Sequence, residues 1–311
     1  MKLILAEKPS VAKTIASFLG AKTRCDGYFE GNGYIVTYAV GHLVGLYDMK
    51  DYDKDKYSGS WKLNNFPFIP QDKFKFKVDS SKKKQFDIVK NLIHRDDIEY
   101  IINATDNDRE GELISFLIFL LAKNKKPVKR ILVNEWTPED ITRGMNNLKD
   151  DVDMRNLQAA GYTRLITDWL IGINFTSVAT LKYGNGKLLN IGRVILPTVK
   201  LVYDRDMEIR HFVPDIYYAV VSKTGENGEI EFTSKKKFNK NELAKAQELC
   251  NAYNAAKAVV VSKKKKKDTL SPGKLYSLTK LQNVLGKKYK MPMEESLKTL
   301  QDLYEKGYVT Y

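Results

Sequence analysis

Apolar and polar positions change rhythm along this chain, and the changes divide it. Residues 2–6 (KLILA) form an unbroken apolar run, the pattern of a strand covered on both faces. Behind it Ser10 is placed to cap a helix that turns Val11, Ile15, Phe18 and Leu19 to one side. Residues 34–40 (YIVTYAV) again read as strand and run into Gly41-His42-Leu43. Residues 47–80 mix Asp, Lys, Pro and aromatic residues without a period and are expected to be irregular. An amphipathic helix is predicted over 81–95, with Phe86, Val89, Leu92 and Ile93 inward. A strand over 98–105, an exit loop over 106–111, a helix apolar nearly all round over 112–123 and a strand over 130–135 follow. This alternation predicts an α/β unit over residues 1–150, built on a largely parallel sheet. In such sheets functional groups gather at the carboxyl ends of strands, where Glu7 and Asp106 both fall.

From Thr137 the pattern turns helical, with helices expected over 157–173 and over 194–209, the latter started or broken by Pro197. Residues 215–232 are strand-like around the turn residues Gly225 to Gly228, which suggests a hairpin. A helix over 241–256, a strand over 258–262 (AVVVS) and the run Lys263–Lys267 come next. Residues 277–289 and 293–306 read as a helix pair, the second with Leu297, Leu300, Leu303 and Tyr304 on its face and Gly307 as its left-handed stop. Residues 308–311 then open a strand that has no continuation, as in a chain that has been cut. There is no internal repeat. The expected domains are 1–150, 151–213, 214–270 and 271–311, the last three incomplete.

Charge adds a partner to this picture. Lys and Arg number 52 against 38 Asp and Glu, a net +14, which favours a polyanion because each neutralised phosphate releases counterions. Cys25 and Cys250 are too far apart in sequence to suggest a zinc site or a disulfide framework, in keeping with a reducing compartment. The apolar start is too short for a signal peptide, and the run 113–122 is about half the length that crosses a bilayer. A cytoplasmic protein with no membrane partner is expected.

Asp106-Asn107-Asp108-Arg109-Glu110 puts three carboxylates within five residues at a strand's end. Such acids repel one another and raise one another's pKa unless a cation binds, and magnesium, with its preference for oxygen and retained waters, suits them. Alone, the loop is a weak signal and fits a structural role better, since Asp and Asn cap helices and Arg109 can neutralise neighbours. Glu7-Lys8-Pro9-Ser10, after the first strand of the same unit, shifts the balance. If the two strands are neighbours, Glu7 joins the acids and Lys8 offers a charge to a phosphate.

With both motifs in view, AEKPSVAKTIASFLG followed by ATDNDREGELI resembles the Toprim domain of type IA DNA topoisomerases, particularly the topoisomerase III branch. The resemblance continues through residues 167–174 (TDWLIGIN), Gly192-Arg193-Val194, Leu201-Val202 and residues 205–209 (RDMEI), and ends in LYEKGYVTY. It implies a Toprim domain, then a mostly α segment and an incomplete α+β region of a toroid. It implies magnesium-dependent, ATP-independent cutting and rejoining of single strands through a 5′-phosphotyrosine, on single-stranded or negatively supercoiled DNA. By motif match Tyr311 is the nucleophile, Lys8 and Arg193 hold the phosphate, and Glu7 protonates the leaving 3′ oxygen. Asp106 and Asp108 would hold magnesium with Glu110 assisting, and Arg164, Asp168 and Arg193 would lie along the DNA. Without the resemblance, Arg164 and Asp168 are an ordinary pair four residues apart on a helix, His42 is structural, and Lys263–Lys267 is a solvated loop able to touch phosphates.

Two departures stand out. The family usually places Gln, a small polar residue and Pro after Gly-Arg-Val, where this chain has Ile195-Leu196-Pro197, so one amide contact to DNA is lost. The family also continues beyond the tyrosine, so this chain is expected to be an N-terminal portion needing the rest as partner. Two other readings remain at this point: a fragment that only binds single-stranded DNA, and a Toprim nuclease or primase.

Overall fold

The computed structural model describes residues 1–311 except 225, 226, 228, 229, 258, 260, 310 and 311 and the side chain of residue 305. In chain order the first elements are β1 (Lys2–Ala6), α1 (Pro9–Leu19), β2 (Thr23–Cys25), β3 (Tyr28–Gly31), β4 (Tyr34–Tyr38) and β5 (Val44–Leu46). Next come α2 (Met49–Tyr52), α3 (Lys54–Tyr57), β6 (Phe76–Val78), α4 (Lys83–Ile93), β7 (Tyr100–Ala104), α5 (Arg109–Leu121), β8 (Val128–Arg130), α6 (Pro138–Asn146) and β9 (Lys149–Asp150). The remainder is α7 (Arg155–Tyr183), α8 (Ile195–Arg210), β10 (Tyr217–Thr224), β11 (Ile230–Asn239), α9 (Leu243–Ala255), α10 (Leu278–Tyr289) and α11 (Met293–Glu305).

The main sheet has the order β2-β3-β4-β1-β7-β8-β9. Its centre, β4-β1-β7-β8, is parallel and its flanks are antiparallel. Alternation along β1 sorts the two faces. Leu3 and Leu5 face α4 and α5 in one core with Phe86, Val89, Leu92, Ile93 and Leu113, while Ile4 and Ala6 face α1 and α6 in another with Val11, Ile15 and Ile141. The result is a three-layer α/β/α unit of the kind the strand–helix alternation implies.

Several boundaries differ from expectation, each for a local reason. Helix α1 starts at Pro9, whose fixed φ suits the first helical position, so Lys8 is the N-cap and Ser10 lies inside the helix. Helix α5 begins at Arg109, inside the expected exit loop, because the Asp108 carboxylate accepts from the Glu110 and Gly111 amides. Strand β8 stops at Arg130, although Ile131 and Val133 still pack inward. The described residues of 258–262 form no strand, and Val259 and Val261 are exposed. Tyr308 and Val309 are bends, and the remainder of that expected strand lies outside the described residues, as do most of the turn residues 225–228. Gly307 does take the left-handed conformation expected of it.

The stretch 47–80, expected to be irregular, holds the short helices α2 and α3 and the strand β6, which pairs with β5, and it is anchored on α7. Trp169 meets Tyr52, Phe68 and Phe74 with ring centres 5.7–6.5 Å apart, and the Asn174 amide donates to the Phe68 carbonyl at 2.8 Å. Helix α7 in turn approaches α5 at Gly161, where an added Cβ would lie 2.7 Å from the Arg109 carbonyl oxygen.

By compactness the chain forms two units, Met1–Pro197 with Tyr276–Tyr311, and Thr198–Leu275. The division falls inside α8, whereas the domains expected from sequence were cut at residue 213. In the smaller unit β10 and β11 make an antiparallel hairpin whose Val220 and Phe238 pack on Ala246 of α9. Among the described residues no helix is long and apolar enough to cross a membrane.

Candidate active site at the carboxyl edge of the parallel strands

β1 and β7 are neighbours in register, Ala6 beside Ala104, so the segments leaving them emerge side by side. Glu7 Oε2 accepts from the Asp106 amide at 3.1 Å, and Lys8 Nζ donates to Asp106 Oδ2 at 2.9 Å. Burial pushes the Glu7 carboxyl above its ordinary value, and the negative charge of Asp106, with a smaller part from Asp108, adds to the push. Burial leads here, whereas the sequence suggested the neighbouring carboxylates alone. The N-terminus of α1 has no side-chain cap, so its positive end and the Lys8 ammonium lie at the same edge.

The three acids of the Asp106–Glu110 loop take different partners. Asp106 pairs with Lys8, Asp108 Oδ1 caps α5, and Glu110 Oε1 accepts from Arg164 Nη1 at 2.8 Å, with His42 Nε2 3.9 Å from its other oxygen. A chain of charges runs on from there. Arg164 Nε lies 3.6 Å from Asp168, and Asp168 accepts both Arg193 Nε (2.8 Å) and Arg193 Nη2 (3.1 Å), a two-pronged pair. The Arg193 hydrogen bonds hold the Asp168 carboxyl below the usual range. The site residues therefore fall into two linked groups: Glu7, Lys8, Asp106 and Asp108 in one, Glu110, Arg164, Asp168 and Arg193 in the other. Tyr311 lies outside the described residues.

No three His, Cys, Asp or Glu side chains among the described residues form a ready-made metal cage. The donors present are carboxylate oxygens set beside a raised-pKa acid. That set fits a hydrated hard cation, which needs only one or two carboxylates and keeps its waters, and does not fit a dry, all-protein site.

Beneath the loop is a support that sequence reasoning missed. Arg130 and Glu112 are both fully buried, with Arg130 Nε 3.1 Å from Glu112 Oε2. The rest of the guanidinium donates to the carbonyls of Asn103 (3.2 Å), Thr105 (2.9 Å) and Asp106 (2.7 Å) and to Thr105 Oγ1 (3.1 Å). Glu112 Oε1 accepts from Gln158 Nε2 of α7 at 3.2 Å. Burial drives both groups toward neutrality, and each one's charge opposes that in the other. The signal in the sequence was an acid, Glu112, at the head of the apolar run that makes up the rest of α5. Gly111 completes the loop: a Cβ there would lie 2.3 Å from the Asp106 carbonyl oxygen.

A parallel sheet ending in this acid–lysine edge marks the first part of the chain as a Toprim domain, and residues 2–136 match that domain family. Residues 152–311 match the DNA topoisomerase family, and the chain belongs to it, in the type IA, topoisomerase III-like branch. DNA topoisomerase 3 of Staphylococcus saprophyticus is 40% identical over 310 residues, covering 99% of this chain and 42% of the relative. DNA topoisomerase 3 of Staphylococcus aureus is 40% identical over 312 residues, with the same coverage. Full-length topoisomerase I from Thermotoga maritima is a structural relative, with a TM-score of 0.62 and 26% identity over 97% of this chain and 46% of that one. The chain thus spans about 42% of the length of the curated relatives it matches.

Proposed function

We propose that this chain carries the strand-cutting chemistry of a type IA topoisomerase, acting in the cytoplasm on single-stranded or negatively supercoiled DNA, with magnesium and without ATP. The observation that supports it most is the Glu7–Asp106 contact across two adjacent parallel strands, with Lys8 at the same edge. Residues 1–150 form the Toprim part, 151–213 line the DNA groove, 214–270 belong to a β-rich arch, and 271–311 lead to the tyrosine. The rest of a protein as long as its relatives completes the ring.

Tyr311 gives its proton to solvent water and its oxygen bonds to phosphorus, while the bond from phosphorus to the 3′ oxygen breaks. Glu7, whose proton burial and the Asp106 charge hold more tightly than in a free carboxyl, gives that oxygen its proton, and the reverse path restores the strand. The ester keeps the energy of the bond it replaces, so no ATP is used. Lys8 and Arg193 hold the phosphoryl oxygens, Arg193 turning part of its fork from Asp168. Asp106 and Asp108 would hold magnesium with Glu110 nearby, and the bound ion would offset charge building on the phosphate. Arg164 and Asp168 position Arg193 and the strand.

The test is a labelled single-stranded oligonucleotide incubated with the protein and Mg²⁺, then denatured. A covalent adduct that disappears in Tyr311→Phe is expected. Salt-sensitive binding with no adduct points to a binding protein, and metal-dependent cleavage that persists in Tyr311→Phe points to a nuclease.

A further inference from the structure

Beside the acidic loop lies a recess that the cutting chemistry does not use. A cavity of about 280 Å³ is lined by Ser10 and Thr14 of α1, by Glu135 and Trp136, and by Tyr304 and Lys306 at the end of α11. A smaller recess of about 80 Å³ shares Trp136 and Tyr304 and reaches Asp106 and Asn107. All of these residues belong to the larger compact unit. We propose that this cavity receives one unpaired nucleobase of the strand held at the acidic edge, with the Trp136 indole as its stacking wall. The proposal rests on the reading of that edge as a place where nucleic-acid phosphate is held.

The lining chemistry selects a base over other ligands. Two aromatic side chains supply planar faces, and every base has a π-face to lay against one. The Ser10 hydroxyl and the ammonium of Lys306 offer donors, while Glu135, Asn107 and Thr14 Oγ1, whose own proton goes to the Ser10 carbonyl at 3.2 Å, offer acceptors. A base edge carries both kinds of group. A free anion meets the Glu135 and Asp106 carboxylates at either end, and a purely apolar ligand would strip water from these polar groups without replacing their hydrogen bonds. The volume suits a single planar ring system and is too small for a packed helix or a duplex end. The link to Asp106 puts the base next in the strand to the phosphate at that loop. The other two tryptophans, Trp61 and Trp169, lie in the aromatic packing of residues 47–80 and α7, so Trp136 is the indole positioned for this contact.

The experiment uses the protein in a Tyr311→Phe background, where binding is read without any cutting. Single-stranded oligonucleotides carrying one abasic site, moved position by position, are titrated while affinity and tryptophan fluorescence are followed. One position is expected to weaken binding about fivefold or more and to abolish the fluorescence change. Trp136→Ala should weaken the intact oligonucleotide by the same factor and be insensitive to the abasic site at that position, while Trp136→Phe should keep most of the affinity. Trp136 also packs against the α1 core, so Thr14→Met, which fills the cavity from an exposed helix position, serves as the second variant and should mimic Trp136→Ala. Losses that simply add, abasic effects equal at every position, or unchanged binding in Thr14→Met would overturn the proposal. An adduct missing from the cleavage test, with the abasic position still coupled to Trp136, removes the cutting reading and leaves the base pocket standing. The reverse result removes the pocket alone.

Discussion

Lys8 Nζ sits 2.9 Å from Asp106 Oδ2, so an ammonium occupies the carboxylate that the family resemblance assigns to a metal ion. Asp106 is largely shielded and Lys8 is about a third exposed, so the pair is screened less than a surface bridge. The same lysine is the one proposed to meet phosphate. If both proposed roles hold, cation and lysine would compete for one oxygen, and metal binding would free the ammonium for the strand.

That competition predicts tighter metal binding when the lysine is removed. In Lys8→Met, with no DNA present, affinity for Mn²⁺ followed by electron paramagnetic resonance should rise roughly fivefold, about 1 kcal/mol for a part-buried pair. Affinity for single-stranded DNA should fall in the same variant. Metal affinity that stays level or drops would show that the two cations do not share Asp106.

Gly111 gives a steric prediction. A methyl group at this position would press on the Asp106 backbone, 2.3 Å from its carbonyl oxygen and 2.8 Å from its nitrogen. Gly111→Ala should therefore cost about 1–3 kcal/mol in denaturant unfolding, the usual range for overpacking. It should also abolish covalent adduct formation, since the loop bearing Asp106 and Asp108 must move to make room.

How far the site could be read in advance depends on how local each signal is. The faces of β1 follow from alternation of Leu3 and Leu5 against Ile4 and Ala6, and Glu7 and Asp106 follow from their places at strand ends. Residues 258–262 had the pattern of a strand, yet Val259 and Val261 stand in solvent, because pattern alone does not supply a partner. The Glu110–Arg164 and Arg130–Asp106 bonds join residues 54 and 24 apart, and no local period encodes them. Arg130 begins an expected strand with no local sign of burial, and the packing of α5 over the sheet makes it, with Glu112, a fully buried charge.

Removing one member of the Arg130–Glu112 pair should be far worse than removing both. Arg130→Met leaves a fully buried carboxylate unpaired and takes the guanidinium from the Thr105 and Asp106 carbonyls and Thr105 Oγ1, while the Asn103 carbonyl keeps the Ile131 amide, and should cost about 3–5 kcal/mol in urea unfolding. Arg130→Met combined with Glu112→Leu should recover part of that loss, since the stranded charge is gone, though the Asp106 carbonyl still lacks its donor. Strictly additive losses in the double variant would mean that the two charges do not depend on each other.

Glu7 makes stability depend on pH in a direction that can be worked out. Its folded pKa lies above the ordinary 4.5, so the folded protein binds this proton more tightly than the unfolded chain. Below 4.5 the group is neutral in both states and costs nothing. As pH rises from there through the raised folded value, stability is lost, because the ionised carboxylate must sit buried beside Asp106. Glu7→Gln cannot ionise and escapes that loss. Measured in EDTA by thermal unfolding, the variant should match the parent at pH 4, gain on it as pH rises, and hold a constant lead once Glu7 is fully ionised. A lead that shrinks with rising pH would mean that Glu7 is stabilised as a carboxylate, and the acid role proposed for it at the 3′ oxygen would go with it.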